Sequence, residues 1–330
     1  MTAPMIFAPL ASRPFGERMA AALGCRLAPL EEKEYESGEH KIRTLTSVRN
    51  RNVYVVQSLS GDATASANDR LCRLLFLIAG LRDAGAARVT ACIPYLAYAR
   101  KDRRTKERDP VNSRYVAQLL EAMGVAHVIA LDVHNVSAFE NAFRCSVDHL
   151  EAAPLAADLV ARQSGGRAVT VVAPDFGGAK RAQRLQDLIA ARTGAVVDFA
   201  MYEKRRDNGA VSGDLLVGPI DGRHVVIVDD LIAAGTTMLR AVQACRAAGA
   251  AAVTAFATHG VFAPGAERLL GSDGPDHLHV TDSILPTRLA ASSKLHVIAV
   301  SALFAEAVRR IETGESVVAL REMERKLPTK

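Results

Sequence analysis

Residues 225–238 read VVIVDDLIAAGTTM. Four aliphatic residues are followed by two aspartates, a short apolar loop, a glycine and two threonines. A short, nearly continuous apolar run is the pattern of a strand buried on both faces. Gly235 followed by Thr236 and Thr237 marks the opening of a helix. Strand, short loop and helix make the βα unit of a parallel sheet, and ligands of open α/β sheets bind at the carboxyl ends of the strands. A helix opening at Thr236 or Thr237 turns unpaired N–H groups toward that crevice, where its dipole favours an anion. Gly235 lets the backbone approach closely, and the threonine hydroxyls add donors. The P-loop lysine is missing from the pattern. Asp229 and Asp230 can accept hydrogen bonds from a vicinal diol. Phosphate on one side and a diol on the other describe a pentose 5-phosphate. A bare pair of acids would equally suit a surface turn; the whole string favours a ligand site.

Outward from this string, β-branched runs alternate with helical patterns. Strands are expected at 53–57, 88–93, 126–131, 168–173, 224–228 and 252–257. Helices are expected near 67–83, 113–123, 153–163, 178–192, 236–248 and 302–312. Such alternation implies an α/β fold with mostly parallel sheets and right-handed crossovers. An internal repeat supports a duplication: RDAGAARVTA (82–91) and RAAGAAAVTA (246–255) agree at eight of ten positions. Each spans a helix end, a glycine stop and a strand start. Two domains are expected, 1–150 and 151–330. Where the second copy has Asp229-Asp230, the first has Gln57-Ser58, so one copy keeps a site and the other is scaffold.

The chain has 330 residues, 49% of them hydrophobic, enough to bury a core without disulfide or metal staples. Its longest apolar run, Leu74 to Leu81, is far short of the ~20 residues of a membrane span, and no basic region precedes the apolar N-terminal residues. Five cysteines without a CxxC pair fit reduced thiols in a cytoplasmic protein. The net charge is +5. Residues 100–108, RKDRRTKER, hold six cations against two acids, so most of the excess sits in one segment. Three readings fit it: a solvated loop, a nucleic-acid patch, or a loop closing over a polyanionic small molecule. No aromatic residue is interleaved to stack on bases, which disfavours the second.

VVIVDDLIAAGTTM resembles the signature that binds 5-phosphoribosyl diphosphate (PRPP) in type I phosphoribosyltransferase folds. Further segments resemble, in order, the ribose-phosphate diphosphokinase (PRPP synthetase) family: YESGE (35–39), PYLAYARKDRRTKERDPV (94–111), ALDVHN (130–135), APDFGGAKRA (173–182), EKRR (203–206), ATHGVF (257–262) and SALFAEAVRRIETGESV (301–317). The resemblance covers essentially the whole chain. It implies two tandem phosphoribosyltransferase-type domains, each a mostly parallel sheet flanked by helices, with the last helix returning to the first domain. It implies Mg²⁺-dependent transfer of the diphosphoryl group of ATP to O1 of ribose 5-phosphate, giving PRPP and AMP. It also implies a homo-oligomer of hexamer type, with no nucleic-acid or membrane partner. The competing readings are a PRPP-consuming phosphoribosyltransferase, a non-catalytic PRPP-synthetase-associated regulator and a nucleic-acid-binding regulator on the same fold.

By the same resemblance, Lys204 and Arg206 belong to a catalytic loop that clamps the transition state. Tyr35, Ser37 and Glu39 match an adenine-recognising loop. Arg100, Lys101, Asp102 and Arg103 match an ATP-binding stretch, followed over 104–110 by a second mobile loop. His134 matches a histidine at the metal–ATP group, and Asp175 an aspartate near the metal and ribose phosphate. Asp229 and Asp230, with Ala233, Ala234, Gly235, Thr236 and Thr237, would hold ribose 5-phosphate. The chain departs from many relatives, which carry Asp in place of Ser37 and of Ala233, and Gln in place of Lys101. The stretch after His134 is about one residue longer. These departures suggest a divergent bacterial-type member and bear on nucleotide choice and regulation more than on the reaction.

Overall fold

The computed structural model describes residues 4–207, 210–289 and 291–321. The chain divides into two compact units, one reaching to Glu151 and resuming at Val300, the other spanning Ala152–Ala299.

In the first unit, β1 (Met5–Phe7) and α1 (Arg13–Ala22) lead into a hairpin of β2 (Leu30–Glu34) and β3 (His40–Thr44). Then come β4 (Asn52–Val56), α2 (Ala67–Asp83), β5 (Arg88–Ile93), α3 (Asn112–Ala122), β6 (His127–Leu131), α4 (Val136–Ala142) and β7 (Ser146–Leu150). The sheet order is β1-β4-β5-β6-β7, and every pairing is parallel.

The second unit holds α5 (Ala153–Gln163), β8 (Val169–Ala173), α6 (Ala179–Thr193), β9 (Val197–Asp207), β10 (Ala210–Val217), β11 (His224–Ile232), α7 (Thr236–Ala247), β12 (Ala252–Gly260), β13 (His277–Thr281) and β14 (Leu295–Ile298). Its order is β10-β9-β8-β11-β12-β13-β14, parallel except for the β9–β10 pair. Five of these strands, β8-β11-β12-β13-β14, repeat the order of the first sheet. In each unit a hairpin is inserted after the first of the five. In one it stands apart as β2–β3; in the other it extends the sheet as β9–β10.

The ten-residue repeat falls at equivalent places in the two units. Gly85 and Gly249 both follow the helix end, with φ of +86° and +87°, a backbone that glycine adopts without strain. Behind them the N–H groups of Ala86 and Ala250 bond back to the carbonyls of Leu81 and Cys245, each at 3.1 Å. This left-handed stop satisfies carbonyls that the helix end would leave open.

The terminal helix, α8 (Ser301–Thr313), belongs to the first unit although it follows the second sheet. Its fully buried Phe304 meets Phe15 of α1 edge to face, with ring centroids 5.5 Å apart. The hydroxyl of buried Tyr54 in β4 donates to Glu312 at 2.7 Å. No helix among the described residues is long and apolar enough to cross a membrane.

Candidate functional site

In the second unit, β11 continues beyond residue 228 to Ile232, held by parallel pairing with β12 at Asp229 opposite Ala257 and Leu231 opposite His259. Both aspartates therefore sit in the last residues of a central strand. Asp230 is buried, and its N–H donates to Asp229 Oδ1 at 2.8 Å. The N–H of Leu231 donates to Asp230 Oδ1 at 2.9 Å. From α6, Arg181 reaches across: its Nη1 donates to Asp229 Oδ1 at 3.3 Å, and its Nη2 stands 3.6 Å from Asp230 Oδ2. One guanidinium thus bridges both carboxylates. Sequence reading passed over Arg181. The available signal was its place in the first turn of a helix, where a cation opposes the dipole.

Burial, then the neighbouring charge of Asp230, pushes the Asp229 carboxyl above the usual carboxylate range; Arg181 opposes the rise. Asp229 consequently holds its proton more tightly in the folded chain than in the unfolded one. From the ordinary aspartate value of ~3.9 up to its raised folded value, the folded state carries the extra proton, so stability falls as pH rises through that window. In Asp229→Asn this contribution is absent. Denaturant unfolding of both proteins across the window should show the wild type losing ground to the variant as pH rises. Parallel curves would contradict the assignment.

The loop after the aspartates is set by Gly235, whose φ of +74° is left-handed and whose added Cβ would lie 2.8 Å from Leu269 Cδ1. α7 opens at Thr236, leaving Thr236 and Thr237 exposed at the loop. Ala233 is tied down through its carbonyl, which accepts the Ala263 N–H at 3.1 Å. Asp175 follows β8 and is exposed; its Oδ1 accepts the N–H of Gly178 at 2.9 Å. The backbones of Lys204 and Arg206 lie in β9, opposite Asp214 and Val211 of β10. The resemblance implies a loop there; β9 runs to Asp207. The side chains of Lys204 and Arg206, and residues Asn208 and Gly209, lie outside the described residues.

In the first unit, Tyr35, Ser37 and Glu39 form the tip between β2 and β3. The N–H of Tyr35 donates to the carbonyl of Glu39, and Ser37 Oγ donates to Glu39 Oε2 at 2.8 Å. Tyr35 is exposed, with Lys33 Nζ 5.0 Å from its ring centre. The basic stretch is organised by one carboxylate. Asp109 Oδ2 accepts from Lys101 Nζ, from the hydroxyl and N–H of Thr105, and from the N–H of Lys106. These bonds, the Lys101 ammonium first, hold Asp109 well below the usual carboxylate range. Asp102 accepts from Asn135 Nδ2 at 2.7 Å. Of the four residues matched to ATP, Lys101 and Asp102 are thus engaged. Arg100 and Arg103 are exposed, with no polar partner among the described residues.

His134 is exposed at the end of β6, two residues after Asp132, whose φ is +37°. The turn is held from behind: the Val133 N–H donates to Nε2 of buried His149 at 3.2 Å. Nε2 must therefore be unprotonated, and burial acts in that direction by lowering the His149 pKa.

No group of three or more His, Cys, Asp or Glu side chains capable of holding a metal is present among the described residues. Mg²⁺ is commonly held by one or two side chains together with substrate phosphates and waters. Exposed Asp175 in the second unit offers a carboxylate of that kind, and exposed His134 lies in the first unit.

The N-terminal domain of ribose phosphate pyrophosphokinase matches residues 4–124, and the phosphoribosyl synthetase-associated domain matches residues 203–321. A ribose-phosphate pyrophosphokinase of Granulibacter bethesdensis is 35% identical, over 94% of this chain and 97% of its own length. That of Vibrio vulnificus is 36% identical, over 96% and 98%. The crystal structure of phosphoribosylpyrophosphate synthetase from Mycobacterium smegmatis superposes with a TM-score of 0.85 at 28% identity, covering 95% of this chain and all of that one. The five-strand order shared by the two sheets is thus the frame of two phosphoribosyltransferase-like domains. Similarity of this extent, running nearly end to end in both partners, places the chain in the ribose-phosphate pyrophosphokinase family.

Proposed function

We propose that this chain is a ribose-phosphate diphosphokinase, transferring the β,γ-diphosphoryl group of ATP to O1 of ribose 5-phosphate to give PRPP and AMP. The observation that carries the proposal is the end of β11. Two adjacent buried or half-buried carboxylates share Arg181, and a left-handed glycine then delivers the backbone to the start of α7. Asp229 and Asp230 accept the sugar hydroxyls. Residues 233–237 receive the 5-phosphate through backbone N–H groups and the hydroxyls of Thr236 and Thr237. Tyr35, Ser37 and Glu39 meet the base, and Arg100 and Arg103 the triphosphate. Lys101 and Asp102 shape that stretch through Asp109 and Asn135. Lys204 and Arg206 stabilise the charge that develops as the bond from O1 to the β-phosphorus forms and the bond to the α-phosphate oxygen breaks. His134 and Asp175 are the residues that would hold Mg²⁺ together with the substrate phosphates, whose charge the ion would neutralise. The proposal extends to a cytoplasmic homo-oligomer of hexamer type. Incubation with Mg²⁺, ATP and ribose 5-phosphate should yield AMP and PRPP in equal amounts; ADP as the nucleotide product would contradict it.

Nucleotide choice gives a second test. Ser37 Oγ donates to Glu39, so the tip presents a hydroxyl and a carboxylate. A carboxylate at position 37 would accept from the 6-amino group of adenine and repel the 6-oxo group of guanine; a hydroxyl does either. The wild type should use GTP measurably, and Ser37→Asp should sharpen the ATP preference by ~10-fold, about 1.4 kcal/mol. Ratios of kcat/KM for the two nucleotides check this, and an unchanged ratio would remove position 37 from base recognition.

A further inference from the structure

A cavity of about 250 Å³ lies in the second unit between α7 and the turn Ala266–Leu270. Gly235, Thr236 and Leu269 line it together with the polar side chains of Arg240, Gln243 and Arg268. Thr236, Arg240 and Gln243 are spaced i, i+4 and i+7 on α7, hence on one face. Long helical side chains lean toward the N-terminus, which carries Arg240 back over Thr236. Neither Arg240 nor Arg268 has an ion pair or side-chain hydrogen bond among the described residues. No carboxylate lines the cavity. The adjacent Glu267 is not a lining residue; its Oε2 accepts the N–H of Gly265, which is, at 2.9 Å.

Two permanent cations around one cavity repel each other unless an anion lies between them. Guanidinium groups bind phosphate through paired N–H donors, and Gln243 adds a neutral amide that can donate to an ester oxygen. We propose that this cavity is an anion site for a phosphate group, with Arg240 and Arg268 as its charged ligands. Two sources share that chemistry: the 5-phosphate of the sugar substrate, and a separate phosphate-bearing ligand seated against the outer wall of the substrate loop. In either case Arg240 and Arg268 are ligands that the sequence motif does not contain. The site does not depend on diphosphoryl transfer, so its test reads binding and not turnover.

Equilibrium dialysis of the full chain against labelled inorganic phosphate tests it. The Arg240→Gln/Arg268→Gln double variant should bind one phosphate fewer per chain than the wild type, or bind it at least tenfold more weakly. Arg268→Gln alone, at an exposed position where folding is undisturbed, should weaken the same phosphate at least threefold. Unchanged stoichiometry and affinity in both variants would overturn the proposal. Adding ribose 5-phosphate then separates the sources. Displacement of the phosphate lost in the variants assigns the cavity to the substrate's own phosphate; its retention assigns it to a second ligand.

Discussion

Replacing Lys204 or Arg206 with alanine should lower kcat at least ~10²-fold, about 2.7 kcal/mol of transition-state stabilisation, with little change in either KM. The two residues occupy alternate positions of β9, the spacing that places residues on one face of a strand. β9 is paired only in part with the body of its sheet. Val197–Met201 pair with β8, whereas residues 202–207 pair only with β10. The cationic end of the hairpin thus extends beyond the five-strand frame. A pair of cations there contributes to rate only if it meets charge that is greater in the transition state than in the bound substrates. Loss of kcat and kcat/KM in equal measure is therefore the expected signature. A rise in KM for ATP at constant kcat would move both residues to ground-state binding.

Asn substitutions at Asp229 or Asp230 should raise KM for ribose 5-phosphate and leave KM for ATP nearly unchanged. Each removes a charged acceptor from a site where sugar hydroxyls would otherwise be desolvated without a partner, a loss of about 1–3 kcal/mol, or roughly 5- to 150-fold. Asp230 should show the larger effect, since it is the more buried of the two and its carboxylate also fixes the Leu231 N–H. The Arg181 bridge adds to the cost, because either substitution leaves part of the guanidinium without its counter-charge. If only the ATP KM rises, the diol assignment fails.

Residues 225–238 were readable because their pattern is local: a buried apolar strand, a glycine that must take a positive φ, and hydroxyls at a helix start. The repeat was readable for the same reason, and Gly85 and Gly249 occupy equivalent left-handed stops. What escaped was set by tertiary pairing. Asp229 and Asp230 are poor strand formers, yet β12 holds them in register to the end of β11. The hairpin LEEKE and HKIRT carries charges on both strands and buries none of its ten residues fully, so it offers no apolar run to read. β9 escaped because its distal part, Glu203 to Asp207, is charged throughout, and β10 because Ser212, Gly213 and Asp214 interrupt its apolar residues. The bond from Lys101 to Asp109 and the Arg181 bridge join residues 8 and 48 positions apart, and nothing in local periodicity encodes either. Segment 104–110, expected from resemblance to be a mobile loop, is tied by Thr105 and Lys106 to the Asp109 carboxylate. The apolar face of α8 was legible, but its partner Phe15 lies nearly three hundred residues earlier in the chain.

The central claim is that the group transferred is the diphosphoryl group, taken from ATP in one step. ATP labelled at its β-phosphorus and supplied with ribose 5-phosphate and Mg²⁺ tests it most directly. The account predicts that the label leaves the nucleotide and appears in the sugar product, with unlabelled AMP formed in equal amount. Label retained in the nucleotide, whether as ADP or as unreacted ATP, would contradict it.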